Sequence, residues 1–246
     1  METIGVVLTA YRRPEYFLEQ VEAIKAQSKP ASRIMVWKNH HNQDAAASKK
    51  WAEIIRATPD LEWVVATKNL GVWPRLALCQ ELGTEWVALF NDDSVPGARW
   101  FENCLQAQDN LAGIYGNAGV IFPEGKRNPR QYVSWTENNT GTERVDIVGH
   151  AWFFKREWLG RICMAQRQGT DTCGEDYYLS VGAQLQCGLD TYVPPRLTVH
   201  DSGSVNGMYG KDDNALWKQP GEEFKKEQAH EAYRKAGWKT IHDRGK

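Results

Sequence analysis

The chain has little cysteine, no long apolar run and no surplus of either charge. Its five cysteines (Cys79, Cys104, Cys163, Cys173 and Cys187) are an odd number and include no C-x-x-C pair. That argues against a disulfide framework or a zinc knuckle and fits reduced, cytoplasmic thiols. The longest apolar stretches, such as residues 4–8, are far too short to span a bilayer, and no basic-then-apolar leader opens the chain. A transmembrane segment is therefore not expected, and the expected location is cytoplasmic. Lysine and arginine number 30 against 31 aspartates and glutamates, a net charge of −1. The basic surface of a nucleic-acid or anionic-membrane binder is missing, so neither is an expected partner.

What is present fits one globular domain. The 246 residues are 41% hydrophobic and 25% charged, close to globular averages. Eleven tryptophans is a high count for this length; such rings either fill a core or stack on the C–H faces of sugars. Short β-branched apolar runs at 4–9, 34–37, 63–66 and 86–90 predict strands. Helical patterns lie between them at 14–27, 45–57 and 74–82, with Pro14 early in the first and Asp44 placed to cap the second. This alternation predicts right-handed β-α-β units, whose ligands bind beyond the carboxyl ends of the strands. Asn91, Asp92 and Asp93 stand at such an end.

The second half is less regular. Strands are expected at 112–122, 145–148 and 197–200, a polar loop at 123–142, and a helix at 175–186 that Gly188 stops. A charged tail helix at 222–236 either covers the body or serves a homodimer. The expected division is a nucleotide-binding half at 1–105, an acceptor half of the same domain at 106–205, and a helical tail at 206–246.

Two acidic pairs carry the chemistry. Asp92-Asp93 at a strand end suits a hard divalent cation that also takes phosphate oxygens, or else is an acidic turn before a helix. Glu175-Asp176 opens a predicted helix, where acids favour the dipole, or supplies a general base to an acceptor hydroxyl.

The order of segments resembles the GT-A glycosyltransferases, in particular the family-2 type. The residues that carry it are Val-Val-Leu-Thr-Ala-Tyr at 6–11, Lys-Asn-Leu-Gly at 68–71 with Arg75, Leu-Phe-Asn-Asp-Asp at 89–93 and Gly-Glu-Asp-Tyr-Tyr-Leu at 174–179. The segments 36–39, 91–93 and 148–154 are also similar to exostosin-like transferases. The likeness implies a Rossmann-like mixed α/β sheet flanked by helices in a single compact domain. It also implies a metal-dependent transfer of a hexosyl or pentosyl group from a nucleoside-diphosphate sugar, a UDP-sugar foremost, to a glycan or glycoconjugate hydroxyl. By position it assigns the donor to Thr9, Ala10, Tyr11, Arg13, Asn39, Asn69, Arg75, Asn91 and Asp92. It assigns a divalent cation (Mn2+ or Mg2+) to Asp93 and His200, the catalytic base with inversion to Asp176 beside Glu175, and the acceptor to His150 and Trp152. In the variant D-x-D motif Asn91 puts a neutral group where the family has its first aspartate. Three readings stay beside this one: a retaining exostosin-like transferase, a nucleotidyltransferase and a silent sugar-binding module. The loop Thr9-Ala-Tyr-Arg-Arg-Pro14 lacks the glycines a nucleotidyltransferase usually carries there.

Overall fold

The computed structural model describes residues 2–41, 45–135, 138–168, 174–198, 212–213, 215 and 218–245. Asp44, Cys173 and His200 lie outside them, as does the end of the strand expected at 197–200.

The apolar runs become strands buried on both faces. In β1 (Ile4–Ala10), Ile4, Val6 and Leu8 pack against Phe17, Val21 and Ile24 of α1 (Pro14–Lys25). The intervening Val7 packs on the opposite side with Leu76 and Cys79 of α3 (Pro74–Glu81). Alternate side chains of a strand enter opposite layers, so a strand between two helical layers must be apolar throughout. In the remaining crossover units β2 (Arg33–Lys38) is buried over Met35–Lys38 and β4 (Trp86–Phe90) throughout, whereas the edge strand β3 (Glu62–Val65), after α2 (Ala45–Ala57), leaves Glu62 and Val65 exposed. Beyond them come α4 (Trp100–Gln108), β5 (Gly113–Ile121), β6 (Gln131–Val133), β7 (Glu143–Val145), β8 (Ile147–Lys155), α5 (Arg156–Ile162), α6 (Glu175–Gly182) and β9 (Asp190–Val193). The tail holds α7 (Glu222–Lys235) and the short α8 (Ile241–Arg244).

Among the described residues the sheet runs β3-β2-β1-β4-β8-β5-β9-β7, with β6 paired to β5. The first four strands are parallel, and β8 is antiparallel to both β4 and β5. From β1 the chain steps outward to β2 and β3, then returns to place β4 on the other side of β1. The crevice outside the carboxyl ends of β1 and β4 is thus the switch point where an open α/β sheet binds its ligand.

Differences from expectation are confined to the second half. The strand expected at 145–148 is two strands broken at Asp146, whose carboxylate accepts the Phe122 N–H at 2.8 Å and the Ile241 N–H at 2.6 Å. β6 occupies part of the loop expected at 123–142, and β9 lies between predicted elements. The helix expected to reach 186 loosens into a π-turn at Ala183–Cys187, and Gly188 then caps it at φ 67°. Arg196 forms only an isolated bridge with Asn139 where the strand at 197–200 was expected to begin nearby. Most described tryptophans are core: Trp37, Trp51, Trp86, Trp100, Trp152 and Trp238 are buried. Cys79, Cys104, Cys163 and Cys187 are free thiols. Among the described residues no helix is long and apolar enough to cross a membrane.

The tail helix covers the body. Ala229 and Tyr233 of α7, with Trp238, pack against Phe122, Ile147, Tyr177 and Val181. His230 lies between Tyr177 and Gly125: its Nε2 is 3.1 Å from the Gly125 carbonyl and its Nδ1 3.2 Å from the Tyr177 hydroxyl. A carbonyl only accepts, so Nε2 carries the proton and Tyr177 donates to Nδ1. Burial, opposed by the bond to Gly125, pushes this imidazole below its ordinary value. The unfolded chain therefore protonates first, so the stabilisation is complete above about pH 6.5 and is lost as pH falls below it. Melting temperatures of wild type and His230→Gln, compared from about pH 8 to pH 5, are expected to converge toward acid. A gap that stayed constant would remove His230 from the account.

Candidate active site

A cavity of about 860 Å³ opens at the carboxyl ends of β1 and β4 and extends under β8 and α7. Part of its wall is a set of short polar links between strand ends. Asn39, at the end of β2, donates to the Asn69 side chain at 2.8 Å and to the Gly71 carbonyl at 3.2 Å, and its Oδ1 accepts the Leu70 N–H. Asn69 in turn donates to the Tyr11 hydroxyl at 3.1 Å. Tyr11, Asn39 and Asn69 thus line one wall as a connected unit. Ala10 is fully buried and contributes backbone: its carbonyl accepts the Asn39 N–H.

Arg75 organises the centre. It is 2% exposed, although it lies on a helix. Its Nη1 donates to Thr9 Oγ1 at 2.9 Å and to Asn91 Oδ1 at 2.7 Å, while Nη2 meets Glu175 Oε1 at 2.7 Å. One guanidinium therefore joins the ends of β1 and β4 to the start of α6. Asn91 thus commits its side-chain oxygen to Arg75. Burial pushes the Glu175 carboxyl up, against the pull of Arg75.

Arg13 is also committed. Its Nη1 pairs with Asp92 at 2.5 Å, and its Nε and Nη2 hold both oxygens of Asp212 at 2.5 and 2.7 Å. Arg13, which the resemblance assigned to the donor, thus grips a carboxylate from 199 positions later in the chain. Burial opposes the Arg13 charge, but Asp212, Asp92 and Asp93 outweigh it and raise its pKa. Burial likewise pushes Asp92 up, against the pull of Arg13, and its second oxygen accepts the Arg12 N–H at 3.0 Å.

Asp176 also lines the cavity and is the second residue of α6, after Gly174 in a left-handed conformation (φ 104°). Unlike its buried neighbour Glu175, Asp176 has a side chain 24% exposed; its Oδ1 accepts the Tyr177 N–H and its Oδ2 lies 3.5 Å from Lys226 Nζ of α7. His150 is beside it, at φ 67°, with its carbonyl accepting from Asn91 and Ser94. Burial, with Lys226 adding to it, pushes the His150 imidazole down to about 3, so it is neutral near pH 7. Trp152 is 1% exposed, donates its indole N–H to the Val148 carbonyl and lies under Arg75, so it is a core ring rather than an open platform. Lys226, Asp212 and Trp135, which also serve this region, carried no sequence signal, because their relevance comes from distant partners.

A divalent cation, implied by the fold family, can be tested against this donor set. Among the described residues no three His, Cys, Asp or Glu gather to hold a metal. A Mg2+-type ion commonly uses only one or two carboxylates plus substrate phosphates. Asp92 and Asp93 both line the cavity and fit that pattern, with Asp92 held by the Arg12 N–H and by Arg13, which also lies 3.7 Å from Asp93.

No curated protein matches the chain at the level of sequence. Solved structures do match in shape. S. aureus TarS 1-349 in complex with UDP-GlcNAc aligns with TM-score 0.55 and 13% identity, covering 78% of this chain and 56% of that one. GalNAc-T7 with UDP, GalNAc and Mn2+ aligns with TM-score 0.56 and 11% identity, covering 78% and 42%. This chain thus spans about half the length of those it matches. At such identities the likeness shows the fold, and the fold is GT-A. The family model described as Glycosyltransferase like family 2 matches residues 2–215. With the ends of β1 and β4 and the start of α6 gathered round one cavity, the chain belongs to the family-2-like glycosyltransferases.

Proposed function

We propose that the protein moves a sugar from a nucleoside-diphosphate sugar, a UDP-sugar foremost, to a hydroxyl of a glycan or glycoconjugate, with inversion. The observation that carries this reading is that two acidic pairs line one cavity: Asp92-Asp93 after the end of β4 and Glu175-Asp176 at the start of α6. The UDP-GlcNAc bound by TarS and the UDP and Mn2+ bound by GalNAc-T7 favour the same donor class.

Asp93, backed by Asp92, would hold the cation, which supplies neutralisation of the charge gathering on the leaving diphosphate. Tyr11, with Asn39 and Asn69 behind it, offers a wall for the nucleoside base. Asp176 takes the proton of the acceptor hydroxyl as that oxygen bonds to the anomeric carbon and the bond from that carbon to the diphosphate oxygen breaks. Lys226 holds the Asp176 carboxylate from α7. Glu175 acts on structure instead. Bound to Arg75, it fixes the start of α6 so that its neighbour faces the cavity.

Calorimetric titration with UDP, GDP, TDP and CMP, each with and without manganese, tests the donor side. One diphosphate is expected to bind in a manganese-dependent manner. Asp93→Ala should then weaken that binding by about tenfold or more, ~1.4 kcal/mol. Manganese-dependent binding unchanged in Asp93→Ala would remove Asp93 from the metal site. Proton NMR of the product would report inversion or retention.

A further inference from the structure

The acidic turn after β4 is held by a residue that the donor chemistry leaves unexplained. Gln20, midway along α1, is 1% exposed. Its side-chain amide donates to the Asn91 carbonyl at 2.7 Å and to the Ser94 carbonyl at 2.6 Å. One nitrogen thus commits both its hydrogens to the two residues that bracket Asp92-Asp93. Carbonyls only accept, so these partners fix which way the amide points. Its Oε1 is buried and has no hydrogen-bond partner among the described residues. A buried oxygen left unpaired costs free energy. An apolar side chain of the same length would avoid that cost but could not hold the turn.

β8 anchors the same two residues. The Asn91 N–H and the Ser94 hydroxyl both donate to the His150 carbonyl, at 3.1 and 2.9 Å. The Ser94 N–H closes the turn onto the Asn91 carbonyl at 3.3 Å. His150 itself holds φ 67°, backbone that persists where its surroundings over-determine it. The first and last residues of the turn are therefore fixed by α1 and β8, while the two carboxylates between them line the cavity. Arg12 and Arg13 act differently, because they bind the Asp92 carboxylate itself. Gln20 holds the backbone and, being neutral, leaves the charge of the acids in place.

Resting on the cation reading above, we infer that Gln20 is a positioning residue for the divalent-cation site. By clamping the carbonyls on either side of Asp92-Asp93 it sets where the two carboxylates stand. An ion held by one or two carboxylates plus substrate phosphates has few protein ligands, so its affinity depends on how firmly those few are placed. Groups outside the ligand set that orient the ligands commonly govern affinity by tenfold or more. Gln27, just past the end of α1, is the matched comparison. It is 6% exposed, donates to the Ala23 and Gly97 carbonyls at 3.1 and 2.7 Å, and accepts the Phe101 N–H at 3.2 Å. It ties the end of α1 to the segment after β4 as Gln20 does, but beyond the acidic turn. Loss of either glutamine loosens that packing; only loss of Gln20 releases the carboxylates.

Calorimetric titration of the full chain with UDP and GDP, each with and without manganese, tests this beside melting temperatures. Gln20→Met keeps the length of the side chain and removes both donors. It is expected to melt below wild type and to weaken manganese-dependent nucleotide binding about tenfold, with binding in the absence of manganese unchanged. Gln27→Met should also melt lower but keep the full manganese effect. Gln20→Asn draws the amide back by one methylene. It should lose affinity in the same direction, and it carries the test if Gln20→Met does not fold. A manganese effect undiminished in the folded Gln20 variants, or reduced equally in Gln27→Met, would overturn the positioning role and leave the transferase reading standing. No manganese-dependent binding by wild type would overturn the cation reading, and the positioning role with it.

Discussion

Asp176→Asn is expected to bind nucleotide as tightly as wild type and to transfer sugar about a thousandfold more slowly, the range of a lost general base. The amide keeps the size of the carboxylate and can still accept the Tyr177 N–H through its oxygen, so α6 should start as before. It cannot take up the acceptor proton. The expected signature is therefore a collapse of kcat with an unchanged dissociation constant for the nucleotide. Glu175→Gln is the informative companion. Glu175 is buried against Arg75, so its substitution should act through stability and the placement of α6. If Asp176→Asn turned over at the wild-type rate, Asp176 would not be the base.

The second large effect is expected at Arg75. Arg75→Met removes the donor shared by Thr9, Asn91 and Glu175 and leaves a buried carboxyl without its cation. Breaking one side of a buried pair typically costs about 3–5 kcal/mol. For a chain of this length that is a fall of roughly 10 °C in Tm. Transfer should fall as well, because Asn91–Asp93 and Glu175–Asp176 lose their common tie. The double variant Arg75→Met with Glu175→Met should regain much of the stability, since an apolar pair can replace a buried ionic one, but not the transfer. Thermal unfolding of wild type, Arg75→Met, Glu175→Met and the double variant closes the cycle. A Tm for Arg75→Met within a degree or two of wild type would show that the pair carries no such energy.

These two cases show how unevenly the site is written in the chain. Asp176 and Asp93 were visible because each lies in a short motif at the end of an apolar or capped segment. The importance of Arg75 was visible only through resemblance. Its partners lie 66, 16 and 100 positions away, and local spacing cannot distinguish a buried arginine from a solvated one. The burial of Trp152 was hidden for the same reason: aromatic composition marks rings but not their exposure, and Trp152 is 1% exposed.

By itself the sequence determined the alternation of strands and helices through β4, with bounds close to those found, because an apolar strand or an amphipathic helix is a local pattern of period two or 3.6. It also determined that Asn91-Asp92-Asp93 stands at a strand end. The tertiary structure alone decided which strand ends are neighbours. β4 lies beside β1 and β8 enters between β4 and β5, because pairing is set by crossover handedness and by filling both faces of the sheet. That order brings Asp212 to Arg13, Lys226 to Asp176 and Trp135 to His150. Long-range charge pairing and desolvation act only on neighbours in space, and those neighbours exist only once the chain has folded.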